Sequence, residues 1–182
     1  MKNQFAKLLI LGIVSFSVVM VGCKKSESVK YTFAFDSQEY EIDNGTLDFW
    51  GETTHSPLTY KFKILLSSYG IVYSPESSYT GTGNFIRLTV YSTDPLTLDD
   101  GTYTYDRYAS KDSLTIDEAA FGINHDITIE SGDGYYVITS GVFEVVKRGG
   151  FFDLSFELIT QDNKSIIGKY TGLLENNISS KK

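Results

Sequence analysis

Cysteine occurs once in these 182 residues, at Cys23. No internal disulfide can form, so any folded domain must rest on its packed core. Proline is used three times, tryptophan once (Trp50) and histidine twice, at His55 and His125. The histidines lie far apart, outside the local spacings of zinc sites, and both read as loop residues. No Gly-x-Ser-x-Gly elbow is present to raise a hydrolase nucleophile. Basic residues are outnumbered 16 to 23, which disfavours nucleic acid and anionic lipid as partners. Beyond residue 30 no window keeps a 3.6-residue apolar period over helix length. The nearest, Ser113 to Ile123, holds one helical turn at most.

The lone cysteine stands at a boundary. Lys2 and Lys7 give a positive start, Leu8 to Val21 is apolar, and the small Gly22 precedes Cys23. The apolar run is about 14 residues, short of the roughly 20 that a spanning helix needs, and the layout is that of an export signal. With a cysteine at the cleavage point, residues 1–23 resemble a bacterial lipoprotein signal. The resemblance implies cleavage before Cys23, a diacylglycerol thioether on its sulfur and acylation of the new amino terminus. One chain binds a bilayer only marginally; two or more anchor it. Residues 1–22 would then be a signal peptide, 23–30 a lipidated polar tether, 31–175 a single all-β domain and 176–182 a polar tail. Removing 22 residues, two of them lysines, leaves 160 residues with 14 basic and 23 acidic side chains. The lipobox together with a Tyr- and Asp-rich β-patterned body resembles the uncharacterised outer-membrane lipoproteins of Bacteroidetes. That implies a lipid-anchored outer-membrane location. The Lys-Lys-Ser-Glu-Ser after Cys23 is a poor match to an acidic surface-export tag, so the periplasmic face and the cell surface both stay open.

The body is rich in Val, Ile, Thr, Tyr and Phe, which suit a pleated, half-buried surface. Asn44-Gly45 has the chemistry of a two-residue type I′ turn. That turn would put Tyr40, Ile42, Leu47 and Phe49 on a core face, and Glu39, Glu41, Asp43, Asp48 and Trp50 on the other. Gly149-Gly150 predicts a second hairpin, with Phe143, Val145, Phe152, Leu154, Phe156 and Leu158 inward. A three-residue loop, Gln161 to Asn163, predicts a third. It sets Ile166, Gly168, Tyr170 and Gly172 opposite Leu158, Phe156, Leu154 and Phe152, with Asn163 left-handed. Further strands are expected at Tyr31–Phe35, Leu58–Leu66 and Phe85–Ser92. A turn at Asp100-Gly101 would lay Leu96 and Leu98 over Tyr105 and Tyr103. About ten short strands with frequent turn signals point to an antiparallel two-sheet sandwich, with a closed lipocalin-like barrel as the alternative.

The sequence supplies surfaces rather than a catalytic motif, and a non-enzymatic binding or accessory module is expected. Asp99/Asp100 and Asp117/Glu118 qualify as acid pairs by count alone; neighbours on a strand point to opposite faces. In the Asn44 hairpin register, Glu41 would oppose Asp48, with Glu39 and Trp50 on the same face. Such carboxylates could accept sugar hydroxyls or hold a structural Ca²⁺, while Trp50 offers a stacking platform for a glycan. Ser67 to Phe85 reads as a long loop carrying Tyr69, Tyr73 and Tyr79, which are rigid amphipathic contact residues. Asp112-Ser113-Leu114 resembles the O-glycosylation sequon of Bacteroidetes, which would make Ser113 an acceptor. Val142, Val146, Ile159 and Ile167 fall on the nominally wet side of the C-terminal strands. Either the N-terminal strand, or a partner protein or dimer contact, would cover them.

Overall fold

The computed structural model describes residues 31–54, 57–74, 78–108 and 110–176. The signal segment, Cys23, the tether, His55 and residues 177–182 lie outside the described residues. The strands are β1 (Tyr31–Phe35), β2 (Gln38–Ile42), β3 (Asn44–Glu52), β4 (Tyr60–Ser67), β5 (Ile71–Ser74) and β6 (Ser78–Ser92). They continue as β7 (Gly101–Tyr105), β8 (Thr115–Asp126), β9 (Tyr135–Arg148), β10 (Phe151–Thr160), β11 (Ser165–Gly172) and β12 (Glu175–Asn176). The fold is all-β, and there is no helix among the described residues. Ser113 to Ile123, the stretch with room for one helical turn at most, runs mostly as β8.

The strands form one hydrogen-bonded path, β12-β3-β4-β6-β8-β7-β9-β10-β11-β1-β2, with β5 attached to β6. This single sheet, curled into a half-barrel, stands in place of two separate sheets. The curl is visible in the core. Phe35 on β1 lies 4.9 Å from Phe121 on β8, although β9, β10 and β11 separate the two strands along the sheet. Phe33 also meets Phe121, and Phe121 stacks on Tyr136 at 4.6 Å. These rings clamp the first strand onto the opposite limb. Phe62, Ile64, Leu88, Phe143, Leu158 and Ile166 complete an interior contributed by both limbs. Each such side chain contributes on the order of 1.5–3 kcal/mol of transfer free energy, which a domain without disulfides requires.

The C-terminal meander follows its local chemistry. Arg148 pairs with Phe151 across Gly149-Gly150, both at positive φ. Leu158, Phe156, Leu154 and Phe152 pair with Ile166, Gly168, Tyr170 and Gly172, and Asn163 is left-handed (φ 60°). Gly168 is required because a Cβ there would lie 2.3 Å from the Phe156 ring.

The Asn44 hairpin does not form. Asn44 and Gly45 begin β3, which pairs with β4 and β12 and not with β2. Strand β2 turns back on β1 instead, through Asp36 and Ser37, both at positive φ. Gly45 is small for a tertiary reason: a Cβ there would lie 2.7 Å from Leu174 and 2.9 Å from Tyr170. Ile42 and Leu47 are buried as expected, but Phe49 is 42 % exposed, packing edge-on against Phe62 beside a bulge. The Asp100-Gly101 hairpin is also absent. Leu98 and Tyr103 are buried, while Leu96 is exposed in a loop and β7 pairs with β9 and β8. Most of the predicted loop from Ser67 to Phe85 is the β5–β6 hairpin. It packs outside the half-barrel on a second small cluster of Leu65, Ile71, Phe85 and Ile127, with Tyr79 and Tyr135 against it.

Candidate functional site

Alternation along β4 and β6 builds a surface as well as a core. Phe62, Ile64, Leu88 and Val90 point inward, so Lys61, Lys63, Arg87 and Thr89 must point outward. Lys63 pairs with Thr89, and Thr89 with Glu118 on β8. One step along, Leu65 pairs with Arg87, Arg87 with Ala120, and Ala120 with Val137 on β9. The two rows make a grid in which small Thr89 and Ala120 form a floor and Lys63, Arg87 and Glu118 stand at its corners. Tyr105, which packs against the main core, and Tyr135 complete the lining. The result is a cleft of about 270 Å³ on the outer face.

The cleft mixes charge with aromatic surface. Arg87 donates to Glu130 at 2.8 Å and to the Tyr135 hydroxyl at 3.3 Å. Beside the cleft, Asp117 accepts from Tyr91 at 2.9 Å and pairs with Lys61 at 3.4 Å. The Lys63 ammonium sits 3.4 Å from the centre of the Trp50 ring. Among the described residues it has no carboxylate at ion-pair distance. Burial and the neighbouring Arg87 guanidinium hold it below the usual lysine range, against the opposing pull of Glu118 and Glu130. Burial, then the Asp117 and Glu118 carboxylates, push the Tyr105 phenol up, so it stays a neutral O–H donor.

Trp50 reaches this surface through a β-bulge. The pairing with β4 shifts between Phe49 and Gly51, and Gly51 takes φ +112°. A bulge re-aims the inserted residue, and Trp50 is 59 % exposed with Lys63 on one ring face. Trp50 is therefore exposed as the sequence reading required, but at the rim of a cleft that reading did not contain.

The other expected partners of Trp50 are elsewhere. Glu39 and Glu41 lie on β2, opposite Ala34 and Thr32 of β1, and β2 does not pair with β3. Asp48 lies opposite Lys63 and not Glu41. The expected Ca²⁺ cradle of Glu39, Glu41 and Asp48 is thus not assembled. No group of three or more His, Cys, Asp or Glu could hold a metal among the described residues. The tyrosines also divide. Tyr69 is 85 % exposed at the β4–β5 turn, where its N–H reaches the Asp43 carboxylate. Tyr73 packs on Tyr79. Tyr79 is structural: its hydroxyl donates to Asp48 at 2.8 Å and lies 2.6 Å from the Thr46 hydroxyl, tying the hairpin to β3.

Ser113 is half-buried in the turn before β8, next to Leu114, whose side chain packs on the core at φ 60°. His125 is buried, with its ring nitrogens 3.0 Å and 2.8 Å from the carbonyl oxygens of Asp133 and Ile129. It closes the loop that delivers Glu130. Val142, Val146 and Ile167 are exposed as expected, and Ile159 is half-buried. Strand β1 does not cover them: it pairs edgewise with β11.

The residues lining the cleft, apart from Glu118, which the sequence offers only as an acid pair with Asp117, escape a sequence reading because they are spread over five strands and a loop. The available signal was alternation, in Lys61-Phe62-Lys63 and Ile86-Arg87-Leu88-Thr89, which marks cations on the back of buried strands. Among known proteins the chain matches no family model, no curated protein and no solved structure.

Proposed function

We propose that this protein is a lipid-anchored, non-catalytic binding module of the cell envelope, and that the outer-face cleft is its ligand site, with a glycan as ligand. The observation that carries the ligand class is the Lys63–Thr89–Glu118 row under Tyr105 and Tyr135, with Trp50 at the rim. Sugar rings need alternating donors and acceptors for their hydroxyls and flat apolar surface for their C–H faces. The row supplies an ammonium, a hydroxyl and a carboxylate, and the aromatic residues supply the surface. The volume lies just below the roughly 300–1,000 Å³ of small-molecule sites, which suits one ring of a longer chain. The two limbs of the curled sheet serve as the facing layers of a sandwich, leaving the outer face of one limb for recognition. Anchoring rests on residues 1–23. Labelled palmitate incorporated by the wild type and lost in Cys23→Ser is the result expected of it.

A glycan array probed with the full chain tests the ligand class. Trp50→Ala and Glu118→Gln are each expected to weaken the bound glycans at least tenfold. An array with no binder, or binding indifferent to both changes, would remove the glycan reading. A second reading, contact with a partner envelope protein, is favoured by the uncovered Val142, Val146 and Ile167. Glu144, Asp153 and Glu157 interrupt that face, so it offers less continuous apolar area than a stable interface core contains.

A further inference from the structure

The charges of the cleft are sorted by depth. The two cations are its half-buried members: Arg87 has a side chain 30 % exposed, and Lys63 is partly covered by Trp50. The two carboxylates are its wet members: Glu130 is 66 % exposed, and Glu118 is exposed at the end of its row. Screening weakens exposed charges far more than half-buried ones. An arriving charge therefore meets a half-buried pair of cations above the Thr89 and Ala120 floor, with Glu130 on the solvent side of Arg87 and Asp48 beyond Lys63 on β3. Lys63 and Arg87 are diagonal neighbours on adjacent strands, a relation that places Cα atoms about 7–8 Å apart. Two cations in this relation repel each other, and the intervening register positions are occupied by the uncharged Thr89 and Leu65.

We propose that the cleft is selective for an oxyanion, a carboxylate or a sulfate ester, carried on a sugar ring and seated between Lys63 and Arg87. This deepens the glycan reading and rests on it. The oxyanion relieves the Lys63–Arg87 repulsion, and Arg87 has further N–H donors beyond the one it gives to Glu130. The Trp50 ring holds the ammonium in place, which lowers the ordering cost of Lys63 on binding. Glu118 and Glu130, at the mouth, face the neutral hydroxyl side of the ring. The lowered position of the Lys63 ammonium on the pH scale agrees with a site in need of negative charge. The overall excess of acidic side chains opposes long polyanions, so the favoured ligand carries an isolated acidic residue within a mostly neutral chain.

The test is an array of matched glycans in which one hexose is present as the uronate, the sulfate ester or the neutral sugar, probed with the full chain in detergent solution. The wild type is expected to bind at least one acidic form tenfold or more tighter than its neutral counterpart, and the two acidic arms identify the oxyanion. Lys63→Gln is expected to abolish that ratio, whatever it does to the neutral affinity, and Lys63→Arg to retain most of it. Equal binding of acidic and neutral forms by the wild type overturns the oxyanion site and leaves the glycan reading standing. No binding of any form overturns both. The wild-type ratio decides the matter even where a Lys63 variant fails to fold.

Discussion

Single side chains in this protein show their physical role through what a small change would do. Gly168 has no room for a methyl group between Phe156 and Phe33. Gly168→Ala should cost about 1–3 kcal/mol as an overpacking change. Adding Phe156→Leu should recover part of the loss, because the two positions share one space. Urea unfolding of the single and double variants measures both. Asp106 offers a pH handle. Hydrogen bonds from the Ser110 side chain, then from the Tyr108 and Ser110 backbone N–H groups, hold its carboxyl below the ordinary value of 3.8. Its stabilising contribution is fully present above that value and is lost as pH falls through the depressed folded value. Asp126 and Asp162 are depressed in the same direction by the Thr128 and Thr160 groups that donate to them. Melting temperature should therefore drop below pH 4, and Asp106→Asn should show a shallower drop. A variant whose acid limb overlays the wild type would remove that role for Asp106.

At the scale of elements, turn chemistry divides the strands that were legible from those that were not. The β9–β10–β11 meander reads directly, because Gly149-Gly150 and Asn163 meet local demands for positive φ and the ring-over-glycine pairs repeat with strand alternation. The β2–β3 junction misleads for the converse reason. Asn44-Gly45 looks like a turn, yet Gly45 is small to admit Tyr170 and Leu174 from the far end of the chain. No local pattern carries that information. The actual turn uses Asp36 and Ser37, neither of which advertises positive φ as glycine does. Ser37→Gly should therefore stabilise the domain by roughly 1 kcal/mol, by removing a left-handed side-chain penalty. Asp36 is best left in place, since its carboxylate holds Lys164 at 2.6 Å. A thermal melt shows the gain as a raised midpoint; a lowered one would mean that Ser37 makes a contact worth more than its strain. The Ser67 to Phe85 segment misleads because its Gly and Ser content suggests a loop. Gly70 and Gly81 instead let two backbones approach, with a Cβ on either meeting a carbonyl oxygen at 2.1 or 2.2 Å.

Over the whole molecule, the first strand pairs with the second-last, Ala34 with Ile167, and its rings pack onto β8 and β9. No half of the chain holds a complete core. Unfolding should accordingly be a single cooperative transition, with Trp50 fluorescence at the sheet surface and far-ultraviolet dichroism coincident. Two separated transitions would show that the limbs fold independently. The all-β class was legible from composition and alternation. The curl of one continuous sheet was not, because strand order is a long-range property that alternation leaves free. The cleft follows the same rule. Trp50 could be singled out because it is the only tryptophan, whereas Lys63, Arg87, Thr89 and Glu118 become neighbours only once β4, β6 and β8 are side by side. The most direct measurement is amide chemical-shift mapping of the protein during titration with an acidic glycan that it binds. Perturbations should gather at Trp50, Lys63, Arg87, Thr89, Glu118 and Tyr135. Perturbations gathered on the outer face of β9, β10 and β11, with the cleft silent, would contradict a ligand site on the outer face of β4, β6 and β8.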